Sequence, residues 1–403
     1  MRIGSAWIVL MVMCTSRVEA QSGAIVLQFD PSVRDSGMGG WGASAANFWT
    51  NGESSWVNPA LLGAVRGVGY DYSRVQLVPS LADDIFFTAE RFRLGGFGVG
   101  VSLSGKPLDR LGFTRLDYGA SEFNGKSISL YEDVDSWAVG VDLVRTVENI
   151  MRTVHVVPRD LARTFDVSIG YATKKVHAFV GPANILPDPN AGPSEGGPVE
   201  LHDRGLLVRF TPYEGGSWFH RRLATPERGS LQFNVAYGLG IQNQPDERIE
   251  YDRALPSNPI ARFTHHGVAL RLARGVSDLR AEQLGWLVGP RTELWSLSTA
   301  VGREIESYPT PGSDRSDRKP VNRYGFEFEF LDIVALRYGY IEELGGEFDG
   351  DSFGLSAGLN YRGFAGVRYD YASVPQAEGL PEPDRHAVVT YVDGLEIARA
   401  LRR

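Results

Sequence analysis

The chain has 403 residues, 41 basic against 49 acidic side chains, a formal net charge of -8 and one cysteine. That balance excludes a nucleic-acid-binding role, which needs a basic surface, and also a disulfide framework. Mean hydropathy is -0.18 and no stretch approaches the roughly 20 apolar residues of a membrane-spanning helix, so any crossing of a bilayer must use a closed barrel of strands.

In chain order, Arg2 precedes an apolar stretch over residues 7–13, and Val18-Glu19-Ala20 supplies a small-residue cleavage site. Residues 1–20 therefore read as a signal peptide, cut before Gln21. Met13 is too bulky for the lipobox that would attach lipid to Cys14. Residues 21–66 do not alternate and are rich in small side chains, as in Ser36-Gly37-Met38-Gly39-Gly40-Trp41-Gly42-Ala43-Ser44-Ala45-Ala46. Further on, Asn58 is a good helix N-cap, and Pro59 at the first helical position gives up only an N–H that would lack a partner anyway. Small residues allow tight packing against surrounding walls, as a hatch inside a barrel requires; a flexible exported N-terminus is the alternative. The candidate hatch motif is Gly37, Gly39, Gly40, Asn58, Pro59 and Ala60.

From residue 67 onward, apolar and small or polar residues alternate, so that each strand has one apolar face. The clearest case is Leu231, Phe233, Val235, Tyr237, Leu239 and Ile241. The series Phe97/Val99/Val101/Leu103, Trp137/Val139/Val141/Leu143, Phe165/Val167/Ile169/Tyr171 and Phe353/Leu355/Ala357/Leu359/Tyr361 repeat it, two of them with rings at both margins. Such faces suit lipid with aromatics at both membrane interfaces. A soluble sandwich would alternate too. Read against turn signals, the pattern predicts fourteen strands near 67–75, 84–92, 95–104, 136–144, 165–172, 205–212, 230–242, 262–273, 293–303, 322–330, 334–341, 352–361, 365–372 and 385–392. Long polar loops follow strands 3, 5, 7, 9 and 13, with the segments 105–135, 173–204 and 304–321 the largest. Tight turns follow strands 2, 10 and 12, at Arg93-Leu94, Leu331-Asp332-Ile333 and Arg362-Gly363-Phe364. That asymmetry fits an outer-membrane barrel with both termini periplasmic, although the connections after strands 4, 6 and 8 are longer than tight turns.

The three-residue loop 331–333 sets Glu327 opposite Arg337 and keeps Tyr324, Phe326, Phe328 and Phe330 on the face of Val334, Leu336, Tyr338 and Tyr340. By the same parity, Gly363 closes the next hairpin in a left-handed conformation. Glu327, Glu329, Arg337, Arg368 and Asp370 then share the luminal face, where they pair with one another and the hatch or line a substrate path. Residues 393–403 form a helix-compatible tail, which leaves the barrel's insertion signal internal.

Catalytic and phosphate-binding motifs are absent, and the reading is of a non-enzyme without cofactor or metal. Gly95-Gly96-Phe97-Gly98-Val99-Gly100 looks like a dinucleotide loop but falls within an alternating strand. His265 and His266 are adjacent and so lie on opposite faces. The acidic loop of Glu342, Glu343, Glu347, Asp349 and Asp351 lacks the ligand spacing of a calcium loop.

The stretch Val33-Arg34-Asp35-Ser36-Gly37-Met38-Gly39-Gly40, with Ser55-Trp56-Val57-Asn58-Pro59-Ala60-Leu61-Leu62, resembles the N-terminal signature of the PorV/PorQ family. These are outer-membrane barrels distantly related to the FadL transporters. Residues 330–340 and 363–372 are similar to the same family, while the middle of the chain is not. The resemblance implies a fourteen-stranded bacterial outer-membrane barrel with a luminal hatch. It further implies a type IX-like secretion role, in which the barrel binds exported proteins carrying C-terminal sorting domains, or secretion-system subunits. A FadL-like conduit for hydrophobic small molecules is the alternative.

Overall fold

A computed structural model of the chain describes residues 24–40, 52–79, 84–105, 113–123, 126–153, 165–180, 194–214, 217–218, 229–251, 258–276, 292–308, 316–317, 320–344, 349–361, 365–376 and 382–393. The signal-peptide reading, Cys14, Glu347, Gly363 and all of the tail beyond Asp393 lie outside these residues.

Fourteen antiparallel strands form one closed barrel. They are β1 (Gly67–Gln76), β2 (Ile85–Gly96), β3 (Val99–Ser104, resuming as Thr114–Phe123), β4 (Lys126–Asp142), β5 (Phe165–Val180), β6 (Ser194–Glu214) and β7 (Leu231–Gln244), followed by β8 (Arg262–Gly275), β9 (Glu293–Tyr308), β10 (Val321–Phe330), β11 (Val334–Glu343), β12 (Asp349–Tyr361), β13 (Ala365–Ser373) and β14 (Asp384–Val392). Each strand pairs with its sequence neighbours. The first and last close the ring from Val68 with Val392 to Val75 with Arg385. Closure leaves no strand edge, which lets a sheet enter hydrocarbon with every ladder group bonded.

The outward face carries exposed apolar side chains, among them Phe326, Phe328, Leu336 and Tyr338 on β10 and β11, while Glu327 and Arg337 between them are buried. Rings bracket this belt, with Phe353 and Tyr361 at the two margins of the exposed apolar run of β12. An apolar belt edged by aromatics on a closed barrel places the chain in a bacterial outer membrane. The register is the one expected: Phe330 pairs with Val334 and Glu327 with Arg337. The 331–333 turn is closed by Leu331 and Asp332 at φ of 54° and 58°.

Three local expectations need correction. The turn after β2 is not Arg93-Leu94 but Phe97-Gly98, with φ of 56° and 91° and Gly96 paired with Val99. A two-residue turn reverses parity: Leu94 and Gly96 share the outer face with Val101 and Val99, and only the exposed Phe97 in the turn itself makes the odd-numbered series look continuous, so the glycine-rich 95–100 segment is a hairpin rather than strand interior. The segments 105–135 and 173–204 are in large part strand: β3 and β4 pair out to Phe123 with Lys126, and β5 and β6 out to Val180 with Ser194. Finally, the chain after β4 is a helix, α1 (Leu143–Thr153).

The described N-terminal residues lie inside the barrel. Residues 24–29 pack with Val75, Phe87, Leu116, Val134, Val176 and Leu201 in a buried core held by the outer halves of β1–β6. A short helix, α2 (Val33–Ser36), meets β12, β13 and β14. The 3-10 turn Pro59–Ala64 meets β2 to β6.

Candidate functional site

The seat of the N-terminal segment is a row of glycines running straight across the inner wall. Gly95 pairs with Gly100, Gly100 with Gly140, Gly140 with Gly170, Gly170 with Gly205 and Gly205 with Gly240, spanning β2 to β7. Residues 57–65 lie along this groove. A Cβ on Gly170 would stand 2.2 Å from the Ala60 nitrogen, and one on Gly205 would stand 2.1 Å from Asn58 Oδ1. Backbone therefore rests directly on backbone, which only a side chain of hydrogen permits. Asn58 fixes the turn at both ends of its amide: Oδ1 accepts the Ala60 N–H at 3.1 Å, and Nδ2 donates to the Leu206 carbonyl at 3.0 Å.

The two halves of the hatch motif meet different walls. Gly37 lies against Gly354, where a Cβ would come within 2.9 Å of the Gly354 Cα, and Gly39 lies against the Tyr324 carbonyl. The Gly39 N–H donates to Ser352 Oγ at 2.9 Å, and its carbonyl accepts from Arg323 at 3.0 Å. Gly40 abuts the Arg323 guanidinium. Met38, between them, packs with Ala60 and Leu61 against Leu207, Ala236, Ala269 and Ala300. Small wall residues thus receive both halves.

Ion pairs lock this arrangement. Arg34 grips Glu327 with two bonds, Nε to Oε2 at 2.9 Å and Nη2 to Oε1 at 2.5 Å. Glu327 also takes Arg337 Nε at 2.6 Å, and Arg337 reaches Asp370 at 3.1 Å and Ser356. Asp370 pairs with Arg368 at 2.9 Å, and Arg368 closes on Glu53 of the N-terminal segment at 2.5 Å. Four of the five charges expected to face the lumen are joined in one chain. Glu329 is buried on the same face but contributes no bond to that chain. Residues Arg34 and Glu53, its two ends, carried no signal in the sequence because 293 and 315 residues separate them from their partners.

Above the segment, toward the outer mouth, is a cavity of about 380 Å3. Its walls are mixed: Leu27, Phe29, Trp56, Val57, Phe263, Ile341 and Val374 form the apolar part, and Asp30, Gln242, His265, Glu304, Arg323 and Arg385 a polar part of similar extent. His265 is turned inward, its Nδ1 3.1 Å from Glu304 and its Nε2 2.7 Å from Gln242 Oε1, and no metal-binding cluster exists among the described residues. Arg385 donates to the Asp30 carbonyl at 3.1 Å and to Ser36 Oγ at 2.9 Å, so the cavity floor is tied to β14.

Near this floor Asp35 is buried, its backbone N–H donating to Ser32 Oγ at 3.2 Å. Burial, reinforced by the Asp30 carboxylate, pushes its pKa up to about 7, and the Ser54 hydroxyl offsets only part of this. The folded state then holds a proton that the unfolded chain releases at its ordinary value of 3.8. The resulting stability is complete below that value and is lost as pH rises to about 7. Glu53 titrates lower, since Arg368 outweighs burial and holds it at about 2. Amide exchange at residues 33–40, corrected for intrinsic rates, should therefore quicken from pH 4 to pH 7, and Asp35→Asn should flatten the profile.

No family model matches the chain, and no curated protein matches it. Among solved structures it is similar to the toluene transporter TbuX of Ralstonia pickettii, at 12% identity over 91% of this chain and 98% of that one, with a TM-score of 0.41. It is also similar to the toluene transporter TodX of Pseudomonas putida, at 9% identity over 94% of this chain and 100% of that one, with a TM-score of 0.37. Nothing found supports the PorV/PorQ resemblance. The fold rests on the strand pairings themselves rather than on these likenesses.

Proposed function

We propose that the barrel is a conduit for hydrophobic small molecules across the outer membrane and does no chemistry of its own. On this reading residues 1–20 are a removed signal peptide, residues 21–66 a plug that blocks the lumen, and the luminal ion pairs the fastening of that plug. The observation that carries it is the cavity of about 380 Å3 on the outer side of the plug, where Leu27, Phe29, Trp56, Phe263, Ile341 and Val374 offer an apolar wall to a small ligand opposite an equally extensive polar one. The charged groups at its edge are bonded to one another or to the plug, so a neutral guest meets few unpaired charges. The secretion role is implied by the PorV/PorQ resemblance, and the long outer loops expected at 105–135 and 173–204 would have given it a binding surface. Much of 105–135 and 173–204 is instead paired strand closed over a core, so no observation favours that role.

The test fills the cavity. Val374→Trp should lower uptake of 1-N-phenylnaphthylamine into a host lacking its own hydrocarbon porins severalfold, and should weaken direct binding of the same probe to purified protein. Heat-modifiability on electrophoresis should stay unchanged. Undiminished uptake and binding in a folded Val374→Trp barrel would sink the conduit reading, as would capture of exported sorting-domain proteins with no uptake at all.

A further inference from the structure

Helix α1 presents its sides in the reverse of the usual order. Leu143, Val147, Ile150 and Met151, at positions i, i+4, i+7 and i+8, form one stripe and are 40%, 51%, 59% and 38% exposed. Glu148, on the other side, is buried. The helix packs on β5 and β4, and its N-cap is the fully buried Asp142, whose Oδ1 accepts the Arg145 N–H at 2.9 Å. A helix resting on protein buries its apolar stripe. This one turns the stripe outward.

What lies outward is fixed by the neighbours. The Asp142 N–H donates to the Gly98 carbonyl at 2.7 Å, and a Cβ on Gly98 would meet Thr146 of the first helical turn. The helix therefore starts level with the periplasmic β2–β3 turn, where Phe97 is 66% exposed. The same rim carries exposed Leu94 on β2 and Phe165 on β5, both in the lipid belt. The stripe of α1 continues that belt at its lower edge. Amphipathic helices in this position lie in the membrane plane with the apolar face about 5–10 Å into the headgroup–acyl boundary.

We propose that α1 is an interfacial helix seated in the inner-leaflet phospholipid of the outer membrane. Its Glu148 side rests on the barrel, the half-exposed Asn149 stays open to water, and its apolar side is covered by acyl chains. The lipid thereby reaches the plug at one remove, because the space beside Gly63 in the 59–64 turn is closed by the Asp142 nitrogen and the Val141 carbonyl carbon. This inference stands whether or not the barrel conducts.

The experiment uses the full chain in vesicles of phosphatidylethanolamine and phosphatidylglycerol, with Cys14→Ser removing the only native cysteine. Nitroxide labels are placed through Val147→Cys, Ile150→Cys and, on the polar side, Asn149→Cys. Collision rates with oxygen and with an aqueous nickel chelate are then compared. The labels at 147 and 150 should show an oxygen-to-nickel ratio severalfold above that at 149. Equal nickel access at all three would mean that the stripe faces water, and shielding of 147 and 150 from both reagents would mean that protein covers it. Either result overturns the proposal. A barrel carrying Ile150→Cys that fails to insert is replaced by Met151→Cys, which lies on the same stripe.

Discussion

Replacing Glu327 by Ala should loosen the plug and cost the barrel about 3–5 kcal/mol, because it removes the one carboxylate that both Arg34 and Arg337 use and leaves two guanidiniums buried without it. The geometry makes this worse than an ordinary broken pair: Arg34 belongs to the N-terminal segment and Arg337 to β11, and Glu327 is the bridge that joins them. With each ~1.4 kcal/mol worth a factor of ten, amide exchange at residues 33–37 should accelerate about a hundredfold or more. Arg34→Ala should act similarly. The double variant should cost less than the sum of the two, since each single change already breaks the shared bridge. Unchanged protection at 33–37 in Glu327→Ala would show that small-residue packing, and not the ion pairs, holds the plug.

Gly170→Val should evict the turn 58–62 from its groove. The added Cβ would sit 2.2 Å from both the Ala60 nitrogen and the Pro59 carbonyl carbon, and neither backbone atom can rotate aside. Overpacking typically costs about 1–3 kcal/mol when side chains can shift. Here the whole turn must lift, breaking the Asn58 bond to the Leu206 carbonyl. The wall itself should survive, since Gly170 keeps its strand partners Gly140 and Gly205. If the plug gates a conduit, the variant should raise both dye uptake and single-channel conductance in planar bilayers while the barrel still migrates as folded. Wild-type conductance together with wild-type protection at 58–64 would rule out the groove as the seat of the gate.

The sequence was most readable where the bilayer enforces a difference between two faces. Over Tyr324–Phe330 and Val334–Tyr340 every outward residue is apolar or aromatic and every inward one small or charged, and the Glu327–Arg337 register followed from turn length alone. Beyond the membrane the contrast reverses. Along β5 the outward Phe165, Val167 and Ile169 give way to Lys175, while the inward Asp166 and Ser168 give way to Ala172, Val176 and Ala178. The parity is unbroken, but the apolar phase changes sides where lipid outside is exchanged for a protein core inside. Near that crossover neither face stands out, and the strand reads as ending. The Asn124-Gly125 pair is a hairpin signal between β3 and β4, masked by the polar residues around it. The helical spacing of Leu143, Val147 and Ile150 was hidden because Leu143 also completed the period-two series from Trp137. The glycine row was out of reach for a different reason. Each glycine is visible in its own strand, but their alignment depends on the stagger between strands, which is a property of the closed ring.

The unequal strand lengths give the molecule a direction in the plane of the membrane. β4, β5 and β6 run 17, 16 and 21 residues, whereas β13 and β14 run 9 each. At ~3.3 Å per residue and a tilt near 40°, one flank stands roughly 20 Å taller than the other. The strand wall is therefore slanted, and the cavity lies beside its low flank, against Ile341, Val374 and Arg385. On the conduit reading, a guest partitioned into the outer surface of the membrane would reach it by travelling laterally, without first returning to bulk water.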